Sequence, residues 1–234
     1  MNGDLAELTE QALGALRDAE RLGATALASS FSVEDMVLTD LIDRHALAIG
    51  IFTLDTGRLH DETYALMQTT RARYRTPVAV YAPQAAAVEA YVAAHGPNGF
   101  YDNVELRQSC CAIRKVEPLR RALADKRGWI TGQRRQHSIT RRDLPVQEWD
   151  DANAMAKFNP LAAWSNDDVW AYVRANEVPY NALHDRGFAS IGCAPCTRAI
   201  TVGEDIRAGR WWWENPETKE CGLHPAHSAD RKAS

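Results

Sequence analysis

No stretch of this 234-residue chain is apolar for long enough to cross a bilayer: the longest nearly unbroken run, residues 46–54, falls far short of the roughly 20 residues that a spanning helix needs. The amino-terminal MNGDLAELTE is acidic and lacks a basic region followed by an apolar stretch, so it does not read as a signal peptide, and the cytoplasm is the expected compartment. An excess of positive charge is missing too. Twenty-seven Lys plus Arg against 31 Asp plus Glu leave a formal charge of -4, which argues against generic nucleic-acid binding by phosphate neutralisation and makes any basic site a local one. Internal repeats are absent, and the one candidate for disorder is the short polar tail after His227. With 45% hydrophobic and 25% charged residues, the chain has the composition of an ordinary soluble globule that can bury a core without staples. Cysteine is scarce and odd in number, at five, and a reducing compartment makes structural disulfides unexpected.

What is present alternates. Leu5, Leu8, Ala12 and Leu16 lie at helical spacing, and a strand-like run, residues 25–28, follows. Ser32 with Asp35 three positions on is a capping-box pattern opening a helix whose stripe is Val37, Leu38, Leu41 and Ile42. The pattern recurs as a buried-strand run over 47–54, a helix over 60–74, a strand over 77–81, an alanine-rich helix, a helix over 112–127 and a strand over 129–131. Strand–helix alternation of this kind implies an α/β fold with a Rossmann-like parallel sheet. Beyond Gly132 the composition shifts toward Arg, Trp and polar residues, with one clear helix capped by Ser165 and Asp168. The expected organisation is one α/β domain, residues 1–205, followed by a C-terminal arm, 206–234.

Open parallel sheets bind ligands at the carboxyl ends of their strands, and SSFS (29–32), DTGR (55–58) and TGQRR (131–135) each follow a strand directly. Their small residues let backbone N–H groups approach a phosphate, and the helix after Ser32 adds the positive end of its dipole. The segment RRQHSITRR, residues 134–142, packs four arginines into nine positions of a net acidic chain, an excess suited to clamping phosphate or sulfate. Arg207 and Arg210 form a second basic pair at helical spacing.

The cysteines divide as four plus one: the adjacent Cys110 and Cys111, the C-A-P-C pair Cys193 and Cys196, and Cys221. Neighbouring Cα atoms lie about 3.8 Å apart with diverging side chains, so closing the adjacent pair on one tetrahedral ion is strained; an iron–sulfur cube offers separate vertices. A 4Fe-4S cluster therefore ranks ahead of zinc, with free core thiols third. Lys115, four residues after Cys111 on a helix, turns toward the same side and is placed to bridge such a cluster and an anionic ligand. Cys221 stands in KECGLH between Lys219 and His224, a polar setting that favours a thiolate nucleophile on a mobile arm over an incidental surface cysteine.

As an ordered set, SSFSVEDMVL, TLDTGRLHDETY, the Cys110–Cys111 pair with Lys115, TGQRRQHSITR, KFNPLAAWSNDDVW, IGCAPCTRAI, GEDIRAGRWWWE and KECGLH resemble the assimilatory sulfonucleotide reductases. The likeness covers nearly the whole chain and is to their bacterial, cluster-containing branch, which acts on adenosine 5'-phosphosulfate (APS). It implies a sheet of the adenine nucleotide alpha-hydrolase-like type whose first loop is a modified pyrophosphate loop without the SGGxDS glycines. It further implies that Cys110, Cys111, Cys193 and Cys196 ligate a 4Fe-4S cluster of structural and electrostatic role. Cys221 would attack the sulfur of APS, releasing AMP and leaving an S-sulfocysteine, from which thioredoxin or a similar dithiol protein frees sulfite for cysteine biosynthesis. Lys115, Arg141, Arg207, Arg210 and His224 would surround the phosphosulfate, with Ser29, Ser30 and Leu54 along the nucleotide. Gln136-His137 departs from the acidic residue and Gln that relatives often carry there. The rivals are a reductase of the 3'-phosphorylated nucleotide (PAPS), whose cluster-free members lack the cysteine quartet, an ATP-dependent tRNA thiolation enzyme, and a non-catalytic zinc module. The oligomeric state, including a homo-oligomer, stays open.

Overall fold

Helix α1 (Gly3–Leu22), strand β1 (Thr25–Ala28), α2 (Val33–Arg44), β2 (Gly50–Leu54), α3 (Asp61–Arg73), β3 (Val78–Tyr81) and α4 (Ala85–His95) follow one another in the computed structural model, as the alternating pattern predicts. The structure describes residues 3–137, 143–201, 203–205 and 207–215. β2 begins three residues later than its apolar run. Ala46 takes a left-handed conformation (φ +50°), and the N–H groups of Ala46 and Leu47 return to Asp43 and Ile42, so a helix cap occupies the start of the run.

The next helix is longer than expected and interrupted. α5 (Val104–Cys111) runs through a π-helical segment (Ala112–Val116) into α6 (Glu117–Leu123), so the adjacent cysteines close α5 just where the winding widens. Such insertions inside α-helices concentrate at functional sites. Then come β4 (Gly128–Ile130), β5 (Gln147–Asp150), β6 (Met155–Phe158) and α7 (Asn166–Ala175), the last opened by a full capping box of Ser165 and Asp168. β5 and β6 are absent from the sequence reading. Each is four residues long, and their interior charges, Glu148 and Lys157, hide the strand pattern by pairing with each other at 3.0 Å.

The described residues form a six-stranded sheet in the order β3-β2-β1-β4-β6-β5, parallel except for β5 against β6. Leu27, Ile51, Ile130 and Phe158 point to one face, under α1, α2 and α7, while Ala26, Phe52 and Trp129 point to the other, under α6. Each fully buried large side chain of this kind contributes about 1.5–3 kcal/mol. α2 is buried well beyond its apolar stripe. Glu34, Asp35 and Asp40 are also covered, and each is satisfied: Glu34 by Arg134, Asp35 by Ser30, Asp40 by Tyr74 and Tyr172. The chain leaves β1 toward β2 and β3 on one side and returns as β4 on the other, which puts the topological switch point, and its crevice, between β1 and β4. Among the described residues no helix is long and apolar enough to cross a membrane.

Of the expected arm, residues 207–215 include a segment that packs on the body. Thr197 and Arg210 make an antiparallel bridge, Arg198 N–H donates to Gly209, and Trp211 is buried.

Candidate active site

A cavity of about 280 Å³ opens at that switch point. Its walls come from the ends of β1 (Ala28, Ser29, Ser30), β2 (Thr53, Leu54) and β4 (Thr131, Gly132, Gln133), so the three loops expected to share a rim do share one.

The serine loop is held from within. Ser30 donates from both its N–H (2.7 Å) and its hydroxyl (2.8 Å) to Oδ2 of Asp35, and Ser29 N–H continues the sheet by donating to Phe52. Asp35 N–H donates to the Ser32 hydroxyl, but its carboxylate turns to Ser30 and not back to Ser32. The anticipated capping box is therefore half formed, and its other half fixes the loop. Burial holds the Asp35 carboxyl above its ordinary range despite these bonds. Phe31 adopts φ +59°, costly for a side-chain-bearing residue, and its ring, buried in the main core, enforces the conformation. Gly132 is required by contact: a Cβ there would lie 2.5 Å from Oδ1 of Asp35 and 2.9 Å from Cβ of Glu34.

Lys115, Arg207 and Arg210 line the same cavity. The two arginines reach it through a turn, Arg210 N–H donating to Arg207 C=O, and not along a helix. Arg210 fits against Gly192, whose Cβ would lie 2.4 Å from Nη2, and its buried Nε finds no acceptor among the described residues. An orphaned guanidinium N–H in a pocket wall suits an anion supplied by a ligand. His184 also lines the pocket; burial keeps its pKa below the ordinary histidine value, which favours the neutral ring.

The RRQHSITRR segment divides differently from the expectation of a single anion clamp. Arg134 is buried and donates from Nε (2.9 Å) and Nη2 (2.7 Å) to Glu34, and Arg135 donates to Leu144 C=O. Half of that arginine excess thus serves the fold, because both side chains meet buried acceptors before they reach the cavity. Arg141 lies outside the described residues, as do Cys221 and His224.

Cys110, Cys111, Cys193 and Cys196 are outside any disulfide and border one small second cavity, together with Arg58, Arg107, Arg114 and Lys115. Four soft sulfur donors ringed by four cations suit an anionic thiolate centre. Two further details fit a group held there: the buried indole Nε1 of Trp211, which lines this cavity, has no acceptor among the described residues, and the Thr56 hydroxyl lies 3.2 Å from Sγ of Cys193. No three such donors among the described residues gather as a single ion demands. Burial opposes ionisation of Cys193, yet Lys115, the Thr56 hydroxyl, Arg210 and Arg114 outweigh it and lower its pKa. Cys196 is pushed up to about 12 by burial and by the neighbouring Cys193. Lys115, Cys193 and Trp211 belong to both cavities and form their common wall.

The sequence reading passed over Arg107 and Arg114, although they sit four residues before Cys111 and four after Cys110, a spacing that places them beside the thiols. It passed over His184 as well, for which no local signal exists, and carries Trp211 only inside the stretch GEDIRAGRWWWE with no role of its own.

The model of the phosphoadenosine phosphosulfate reductase domain matches residues 24–199. The chain belongs to this reductase family. The Allochromatium vinosum protein named adenosine 5'-phosphosulfate reductase is 57% identical over 213 residues, covering 91% of this chain and 83% of its own length. The Burkholderia cepacia protein of the same name is 58% identical over 205 residues, covering 88% and 82%. Among solved structures, a phosphoadenylyl-sulfate (PAPS) reductase from Candida auris in a phosphate complex superposes with a TM-score of 0.69 at 26% identity, over 86% of this chain and 98% of that one. An FMN adenylyltransferase from Candida glabrata (TM-score 0.53, 15% identity, 97% of this chain and 89% of that one) shares the fold alone. The expected sheet type and the expected reductase family are thus both found.

Proposed function

We propose that this family member reduces APS to sulfite and AMP. The observation that supports it most is the convergence of Lys115, Arg207 and Arg210 on a nucleotide-sized cavity at the switch point, against a wall shared with four cysteines. The apolar side chains of Phe52, Leu54, Leu119 and Trp129 offer a base-binding surface, and the cations offer charge neutralisation at the phosphosulfate. Arg141 and His224 are proposed to join them, and Ser29, Ser30 and Leu54 to lie along the nucleotide. In the first step the Cys221 thiolate attacks sulfur, the sulfur–oxygen bond to AMP breaks, and AMP departs with the electron pair as Cys221 becomes an S-sulfocysteine. In the second, a thiolate of thioredoxin or a similar dithiol protein attacks the Cys221 sulfur and expels sulfite; the partner's second thiol then restores Cys221 and leaves the partner as a disulfide. One sulfur must meet first a buried phosphosulfate and then another protein, so the arm bearing it is proposed to move. Cys110, Cys111, Cys193 and Cys196 would hold a 4Fe-4S cluster, which when bound supplies a structural tie and a fixed electrostatic field at the pocket wall.

The rival substrate is PAPS, the nucleotide named for the family and for the Candida auris structure. The deciding experiment mixes anaerobically purified protein with APS and no reductant, followed by mass spectrometry. A sulfo adduct on Cys221, absent in Cys221→Ser, is expected, as is a higher specificity constant for APS than for PAPS in competition. An adduct elsewhere, or turnover by the Ser variant, overturns the mechanism; preference for PAPS overturns the substrate.

A further inference from the structure

Trp211 separates the anion pocket from the cysteine cavity, and it is held by charge on both accounts. The Arg210 guanidinium lies over its ring at 4.7 Å and that of Arg107 at 5.0 Å. Arg107 projects from α5, borders the cysteine cavity and hydrogen-bonds Cys111. It also donates from Nε and Nη2, both at 2.8 Å, to the two carboxylate oxygens of Glu214, in an ion pair whose side chains are 1% and 3% exposed. Glu214 N–H returns to Trp211 C=O, and Trp211 N–H donates to Cys196 C=O. A contiguous path therefore runs from Cys111 through Arg107 and Trp211 to Arg210, with Glu214 anchoring the segment that carries Trp211 and Arg210. Arg210 has little freedom to adjust on its own, since the Gly192 backbone packs against its guanidinium.

We propose that Arg107 and Glu214 are positioning residues: through Trp211 they fix Arg210, and so couple occupancy of the four-cysteine site to anion binding in the nucleotide pocket. This rests on the APS reductase reading for the identity of the anion and of the group on the cysteines. Glu214 lines neither cavity itself and acts on them through Arg107, to which it is ion-paired, and through the segment it anchors. Coupling of two binding events is reciprocal: a filled cysteine site strengthens nucleotide binding, and a bound nucleotide strengthens binding of the group by the same factor in the equilibrium constant.

The test uses the anaerobically purified holoprotein and AMP, the non-reacting product, as probe. Iron release to a chelator is followed spectroscopically with and without saturating AMP, alongside AMP affinity by calorimetry and thermal stability. In the wild type, AMP is expected to slow iron release about fivefold or more, the lower range of ordinary coupling. Glu214→Gln and Arg107→Met are expected to release iron faster, to bind AMP about tenfold more weakly, and to show an AMP protection ratio near one. If the single variants fold poorly, Arg107→Met with Glu214→Leu replaces the buried pair by apolar side chains of similar bulk; it should recover stability yet keep the ratio near one. Glu214→Asp should restore protection in part. A purely structural pair would lower stability while leaving the protection ratio at its wild-type value, and that result overturns the proposal. Wild-type protein that binds AMP without any protection of its iron overturns it alone, whereas wild-type protein that binds neither AMP nor iron removes the proposed function and this inference together.

Discussion

Replacing Glu34 by Gln tests whether Arg134 belongs to the fold or to the anion site. Arg134 is 1% exposed and Glu34 8% at the side chain, and both guanidinium contacts run to one carboxylate oxygen, Oε1, at 2.7 and 2.9 Å. With charge centres about 4 Å apart and an effective dielectric near 20, the attraction is on the order of 4 kcal/mol. Removing the anion leaves a buried cation with Trp164 C=O and the Gln136 amide oxygen as acceptors, at 3.2 and 3.3 Å. Losing one member of a buried pair costs about 3–5 kcal/mol; the Gln oxygen retains some hydrogen bonding, so about 3 kcal/mol is expected. For a chain of this length that is a fall of roughly 6–12 °C in Tm. Urea unfolding of Glu34→Gln, Arg134→Met and the double variant, under anaerobic conditions, gives the coupling directly. A loss under about 1 kcal/mol with negligible coupling, together with weakened AMP binding in Arg134→Met, would refute the assignment of Arg134 to the fold.

Gly192→Ala should drive the Arg210 guanidinium from its place, since the new Cβ would lie 2.4 Å from Nη2; calorimetry should find AMP binding about tenfold weaker, the worth of one charge-assisted hydrogen bond, with the melting temperature little changed. Gly132→Ala, whose Cβ would meet Asp35 and Glu34 inside 3 Å, should cost about 1–3 kcal/mol, whereas Gly14→Ala in the open middle of α1 should add about 0.5–1 kcal/mol. Burial lowers the folded-state pKa of His184 beneath 6.5, so the unfolded chain binds that proton first, and stability is lost as pH falls below that value. His184→Asn should accordingly flatten the melting temperature between about pH 7 and about pH 5, read by calorimetric scans.

The sequence by itself determined the βαβ alternation, the caps at Ser32 and Ser165, and the three loops that share the rim, because these depend on neighbours within a few residues. It also determined the reductase family, through motifs that each preserve a short run of chemistry. What it left undecided depends on partners far away in the chain. β5 and β6 have no strand signature in the sequence, since a buried lysine looks like solvent until Glu148 is seen beside Lys157. The arginines of residues 134–142 read as one basic patch until the tertiary structure put Glu34, 100 positions away, against Arg134. Cys111 and Lys115 could be placed on one helix face, but the π segment between α5 and α6 set where that face points. Only the fold decided that Arg107, Trp211 and Glu214 meet, because a buried ion pair and a ring between two guanidiniums are long-range contacts that no periodicity announces.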